Sequence, residues 1–111
     1  MVTYERVTNG QYKVFLPKAV KIIDRMSGNQ LKKGLSKLLK KDRLILLDLR
    51  HVENLDKDGF KKIEEILLQA EKRGTHVIFK NLHGPVRQKL ITLSIPGKSP
   101  VDLLDHSLSD N

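Results

Sequence analysis

Three carboxylates crowd one short polar stretch of an otherwise basic chain: Glu53, Asp56 and Asp58, followed directly by Gly59. Carboxylates so placed can exchange protons, cap a helix or present negative charge to a partner. Acid–base work needs a pocket and a reacting group beside it. Ser27, Ser36, Ser94 and Ser99 stand in no recognisable nucleophile context, and no glycine-rich phosphate cradle is present. The stretch therefore reads as a non-catalytic one. His51 and His83 both follow apolar runs and share the neighbourhood of Glu53 and Asp56, which makes a metal cluster conceivable. No close ligand spacing such as His-x-x-x-His supports it, so solvated loop histidines are the preferred reading. His76 falls at the opposite strand end and His106 in the tail. With no cysteine, disulfides and thiolate metal sites are excluded. Neither a metal nor a cofactor is expected.

The basicity is regional. The chain carries a formal net charge of +8 over 111 residues. Nine basic residues fall between Lys18 and Arg43, against Asp24 and Asp42. Lys32, Lys33, Lys37, Lys40 and Lys41 fall on one side of a predicted helix whose other side carries Leu31, Leu35, Leu38 and Leu39. A basic stripe is the footprint of a polyanion contact, but a solvated lysine face or docking to an acidic protein explains it as well. The five aromatics, Tyr4, Tyr12, Phe15, Phe60 and Phe79, sit mostly at predicted core positions, which leaves no visible stacking platform.

The elements that must position these residues are legible from apolar spacing. LILLDL (residues 44–49) is a short apolar run broken only by Asp48 and reads as a strand covered on both faces. From Gly59-Phe60 the spacing becomes helical through Phe60, Ile63, Ile66, Leu67 and Ala70, ending at Arg73-Gly74. Val77-Ile78-Phe79 is a second strand, so the unit is βαβ with parallel strands. Upstream, Thr8-Asn9-Gly10 between β-forming runs marks a hairpin. Residues 18–25 read either as a loop with a short strand or as a lead-in to the first helix. Ser27, with Gln30 three residues on, is the expected N-cap of that helix, and Gly34 in it would allow close approach to the sheet. Gly84-Pro85 starts a further helix with a buried stripe of Val86, Leu90 and Leu93, ending near Ser94. Val101 to Leu104 reads as a short edge strand and residues 105–111 as a fraying tail. The expected architecture is α/β, one domain over residues 1–111: a four- to five-stranded mixed sheet with an N-terminal hairpin and three to four helices mainly on one face.

The words LILLDLRHVENLDKDGF, AEKRGTHVIFKNL and GPVRQKLITLSI, in that order after a hairpin and a helix, resemble a STAS domain. That family includes bacterial anti-sigma factor antagonists and the cytoplasmic tails of sulfate transporters. In the antagonists the helix-start motif usually reads Asp-Ser-Ser-Gly, and the residue before the glycine is the Ser or Thr phosphorylated by an anti-sigma kinase. Here Asp56 and Gly59 match, while Lys57 and Asp58 replace the hydroxyl residues. The resemblance makes Asp58 the phosphoacceptor-equivalent position. Its carboxylate carries one charge against roughly −1.5 to −2 for a phosphate, so it imitates phosphoserine in part. Taken alone, Asp58 reads as a helix N-cap; the two roles are compatible.

The resemblance implies a regulatory protein-binding module that takes part in partner switching. Its contacts would be Glu53, Asp56, Lys57, Asp58 and Gly59, against an anti-sigma factor or serine-kinase-like protein. The rival readings are a nucleic-acid or anionic-membrane-surface domain using the lysine face, and a STAS subunit of a transporter complex. MVTYERV lacks the apolar core of a signal peptide, and no run reaches membrane-span length. The expectation is a cytoplasmic monomer or weak homodimer.

Overall fold

Asn9-Gly10 reverses the chain between β1 (Thr3–Thr8) and β2 (Gln11–Phe15), with Gly10 at φ +80°. The two strands are antiparallel, with a register shift near Val7. The structure, a computed structural model, describes residues 2–93. After the hairpin come β3 (Ile22–Ile23), α1 (Arg25–Ser36), β4 (Leu44–Asp48), β5 (Asn54–Leu55), α2 (Lys57–Arg73), β6 (His76–Lys80) and α3 (Gly84–Leu90). The main sheet runs β1-β2-β4-β6, and β3 with β5 forms a separate parallel ribbon. β4 pairs in parallel with both β2 and β6, so α2 is the helical crossover of the predicted βαβ unit. This is the mixed α/β sheet that the sequence predicts, with four strands and three helices among the described residues. The predicted edge strand at Val101 to Leu104, Ser94, Ser99, His106 and the tail at residues 105–111 lie outside the described residues.

The sheet is covered unevenly. Val14, Ile45, Leu47, Val77 and Phe79 are buried and share one face, as the strand register shows. Leu31 and Leu35 of α1, Ile63, Ile66, Leu67 and Ala70 of α2, and Val86 and Leu90 of α3 complete the same core. Each such Val, Leu, Ile or Phe side chain fully removed from water contributes on the order of 1.5–3 kcal/mol. On the other face Leu44, Leu46 and Ile78 are only half-buried. LILLDL is thus covered by helices on one face rather than on both. Its apolar character, broken only by Asp48, overstated its burial. β1 is the edge strand of the sheet, and all six of its residues are exposed, Tyr4 among them. Of the five aromatics expected mostly at core positions, Tyr4 is therefore one that lies outside the core.

Several boundaries also differ. α1 is capped by Asp24, not Ser27. Ile22 and Ile23 pair with β5, so the chain leaves an extended conformation at Asp24, three residues earlier than expected. Ser27 is instead the third helical residue. Its hydroxyl accepts from the Asp24 N–H at 2.9 Å, while its own N–H donates to Asp24 Oδ1 at 2.9 Å. The capping box exists, with Asp24–Ser27 in place of Ser27–Gln30. α1 ends at Ser36, and Leu38 and Leu39 are buried in the turn beyond it. Lys40 and Lys41 fall in that turn, because the chain must reverse into β4 through Asp42 at φ +66°. A Cβ on Gly34 would lie 3.0 Å from Val2 Cβ, so the close neighbour there is the chain before β1. α3 ends at Leu90, a few residues before Ser94, with Leu93 buried in the following turn.

Candidate functional site

The polar stretch after β4 is more ordered than a loop. Asn54 and Leu55 form β5, and Val52 and Leu55 are fully buried beneath it. The Glu53 and Asn54 N–H groups donate to the Lys21 carbonyl at 2.7 and 3.3 Å, and the Asp56 N–H donates to the Ile23 carbonyl at 3.1 Å. The ribbon therefore presents the start of α2 from a fixed position. From the α3 side, Lys89 Nζ donates to the Leu55 carbonyl at 2.5 Å.

Asp56, not Asp58, caps α2. Asp56 Oδ1 accepts from the Gly59 N–H at 2.8 Å, and its carbonyl accepts from the Phe60 N–H at 2.8 Å. The sequence placed the helix start too late because Lys57 and Asp58 look like loop residues. The cap sets the boundary two residues earlier. Gly59 has a steric cause. A Cβ there would lie 1.8 Å from the Ile23 carbonyl oxygen, a contact no side chain tolerates. The first turn of α2 leans directly on the backbone of β3, and only glycine fits.

That arrangement leaves Asp58 with no fold-building task. It lies exposed in the first turn of α2, and among the described residues no hydrogen bond or ion pair engages its side chain. The positive end of the helix dipole favours a carboxylate there. Asp56, Lys57 and Glu53 are also exposed, and Gly59 is buried. Asp56, Lys57, Phe60, Lys89 and Thr92 line a shallow depression of about 340 Å³ between α2 and α3.

Two features beside this turn escaped the sequence reading. Ile22 and Met26 are 53% and 71% exposed. With Ala19, Val20, Gln30 and neighbours they line a groove of about 380 Å³ at the start of α1. The signal was present: alternation in a two-residue strand turns one of Ile22 and Ile23 outward, and Met26 is out of phase with Leu31 and Leu35. The second feature is Asp48, whose side chain is 0% exposed at the end of β4. Burial pushes its carboxyl up, but hydrogen bonds from Arg50 outweigh this, with further help from Asn81, and hold it below the usual range. Arg50 Nη2 and Nε donate at 2.6 and 3.1 Å, the Arg50 N–H at 3.0 Å and Asn81 Nδ2 at 2.9 Å. Asn81 sits at φ +58°, a left-handed conformation asparagine tolerates. His83 Nε2 donates to the Arg50 carbonyl at 2.7 Å, which fixes its tautomer. This network ties the exits of β4 and β6 together.

Other predicted sites disperse. His83 gives one ring nitrogen, Nε2, to a carbonyl, and no three described His, Asp or Glu side chains come together to hold a metal. The five lysines do not form one helical face. Lys32 bonds Glu65 of α2 at 2.9 Å, Lys33 and Lys37 are exposed on or just after α1, and Lys40 and Lys41 lie beyond it. The Lys32 hydrogen bond, assisted by Lys62, lowers the Glu65 carboxyl from its usual value. No described helix is long and apolar enough to cross a membrane.

A hairpin, a mixed sheet and a glycine-limited helix start after β4 define the class of domain. A family model for the STAS domain matches residues 10–102, and the chain belongs to that family. No curated protein sequence matches it. Among solved structures, the unphosphorylated form of the anti-sigma factor antagonist SpoIIAA superposes with a TM-score of 0.59 at 16% identity, over 81% of this chain and 77% of that one. The crystal structure of Mglu superposes with a TM-score of 0.64 at 19% identity, over 76% of this chain and 20% of that one. This chain thus spans about a fifth of Mglu. At these identities the likeness is one of fold.

Proposed function

We propose that this STAS domain is a non-catalytic regulatory module that docks a protein partner through the start of α2, at Glu53 and Asp56 to Gly59. Its partner is an anti-sigma factor or serine-kinase-like protein in a partner-switching system, and Asp58 gives it a permanent charge in place of a removable phosphate. One observation carries this reading. Asp56 supplies the cap and Gly59 the close packing, so Asp58 is left exposed and unengaged between them. Ile22 and Met26 add an apolar margin on the α1 side. Such a margin supplies the water-excluding contact that a charge pair alone lacks.

The test is affinity capture with wild type, Asp58→Ser and Asp58→Lys from the native cell extract, followed by a phosphorylation assay with any recovered kinase. Wild type should retain a kinase-type partner, and charge reversal should reduce retention at least tenfold. The recovered kinase should phosphorylate Asp58→Ser and leave wild type unmodified. Equal retention by all three proteins contradicts the proposal.

A further inference from the structure

The opposite end of α2, roughly 25 Å away for a 17-residue helix, gathers charge from three separate parts of the chain. The turn after α1 is fastened to the end of α2. The Asp42 N–H donates to the Gly74 carbonyl at 3.0 Å, the His76 N–H to the Arg43 carbonyl at 2.8 Å, and Thr75 Oγ1 to the Lys40 carbonyl at 2.7 Å. Arg73 Nη1 reaches the Ser36 carbonyl at 3.0 Å. Lys37, Lys40, Lys41, Arg43, Lys72 and Arg73 are thereby brought to one edge, against Asp42 and Glu71.

The sheet adds an aromatic step to this edge. The Arg43 guanidinium lies over the Tyr12 ring at 4.8 Å, and Tyr4 meets Tyr12 edge-on, with centroids 5.9 Å apart and planes at 67°. Register pairs Arg6 with Tyr12 and Tyr4 with Val14, so Tyr4, Arg6 and Tyr12 share one face. Tyr4 is 53% exposed on the edge strand β1, all of whose residues are exposed. The core makes no demand for a ring at that position.

We infer that this edge binds single-stranded nucleic acid, with a base stacked on Tyr4 and phosphates on Arg6, Lys40, Lys41 and Arg43. An exposed ring beside clustered cations is the pairing that unpaired strands need, because every base has a stacking face and every linkage a charge. A duplex keeps its base faces covered and offers Tyr4 nothing to stack on. This inference is independent of the docking site at Asp58.

The test is fluorescence anisotropy of the whole chain with labelled oligothymidylate, with a duplex of equal length, and with phosphatidylserine–phosphatidylcholine vesicles as competitor. Wild type should bind the single strand at low salt and more tightly than the duplex. Tyr4→Ala and Tyr4→Leu should each weaken binding about tenfold with an unchanged melting temperature. Lys40→Gln with Lys41→Gln should flatten the slope of log affinity against log salt by about 1.4, near 0.7 for each phosphate no longer neutralised. Asp58→Ser should bind as wild type does. The inference is overturned by absent binding at low salt, by equal affinity for duplex, by undiminished affinity in both Tyr4 variants, or by full displacement from the strand by vesicles.

Discussion

The two long helices leave the same ribbon side by side, and their first turns are built alike. Ile23 pairs with Leu55, an aspartate follows each, and the residue three further on closes the cap. The difference lies in that third residue. In α1 it is Ser27, whose buried hydroxyl returns a bond to the Asp24 backbone and completes a box. In α2 it is Gly59, because the Ile23 carbonyl occupies the space a side chain would take. The second residue of each turn is exposed: Met26 in α1, Asp58 in α2. One turn is closed by its own side chains. The other is held by tertiary contact and turns a lone carboxylate outward. Matching backbone geometry thus leaves one helix start self-contained and the other available.

The largest effect expected from breaking this comparison is at Gly59. Gly59→Ala forces β3 and α2 apart and should cost about 3 kcal/mol or more, lowering the melting temperature by roughly 10 °C or more. Calorimetry checks it; a variant that melts like wild type shows that the ribbon yields freely. Ser27→Gly, the converse exchange in α1, should cost less, since it removes the hydroxyl's bond from the Asp24 N–H without forcing any backbone apart.

Next is Asp48→Asn, which removes the charge that Arg50 and Asn81 hold and with it the anchor of the segment leading to α2. Charge-assisted hydrogen bonds of this kind make the expected loss about 2 kcal/mol at neutral pH, read by urea unfolding. The pH dependence has a definite sign. The folded Asp48 carboxyl is depressed below its unfolded value, near 3.9. Its contribution is therefore complete above that value and disappears as pH falls through the folded pKa. Asp24, lowered chiefly by the Ser27 N–H, acts in the same direction. Wild type should lose stability steeply below pH about 4, and Asp48→Asn less steeply.

Asp56→Ala should cost about 1 kcal/mol through the lost cap. Asp58→Ser, two residues on, should change stability by no more than about 0.5 kcal/mol while altering partner retention. Matched unfolding curves for the two variants test that division of labour. If Asp58→Ser destabilises as much as Asp56→Ala, Asp58 is part of the cap.

The strands, the hairpin and the βαβ unit were legible because apolar runs, Asn-Gly and Arg-Gly are local signals. Of the ribbon, one reading of residues 18–25 held a short strand, but β5 and its pairing with β3 were not legible, because two-residue strands owe their existence to each other across the chain and carry no period of their own. That one omission displaced both helix starts: the cap of α1 to Ser27 in place of Asp24, and the first residue of α2 to Gly59 in place of Lys57. It also hid why Gly59 is glycine, since the obstructing atom belongs to Ile23. Asp48 read as an interruption of an apolar run because its partners Arg50 and Asn81 come from two different strand exits. The lysines of residues 32–41 read as one face because helical numbering was carried past Ser36, where the chain turns.

Amide hydrogen exchange on the whole chain, with and without the protein partner captured by wild type, tests the central claim most directly. The account predicts new protection at residues 53–60, spreading to Ile22 and Met26. Protection that leaves residues 53–60 unchanged and falls on another surface contradicts it.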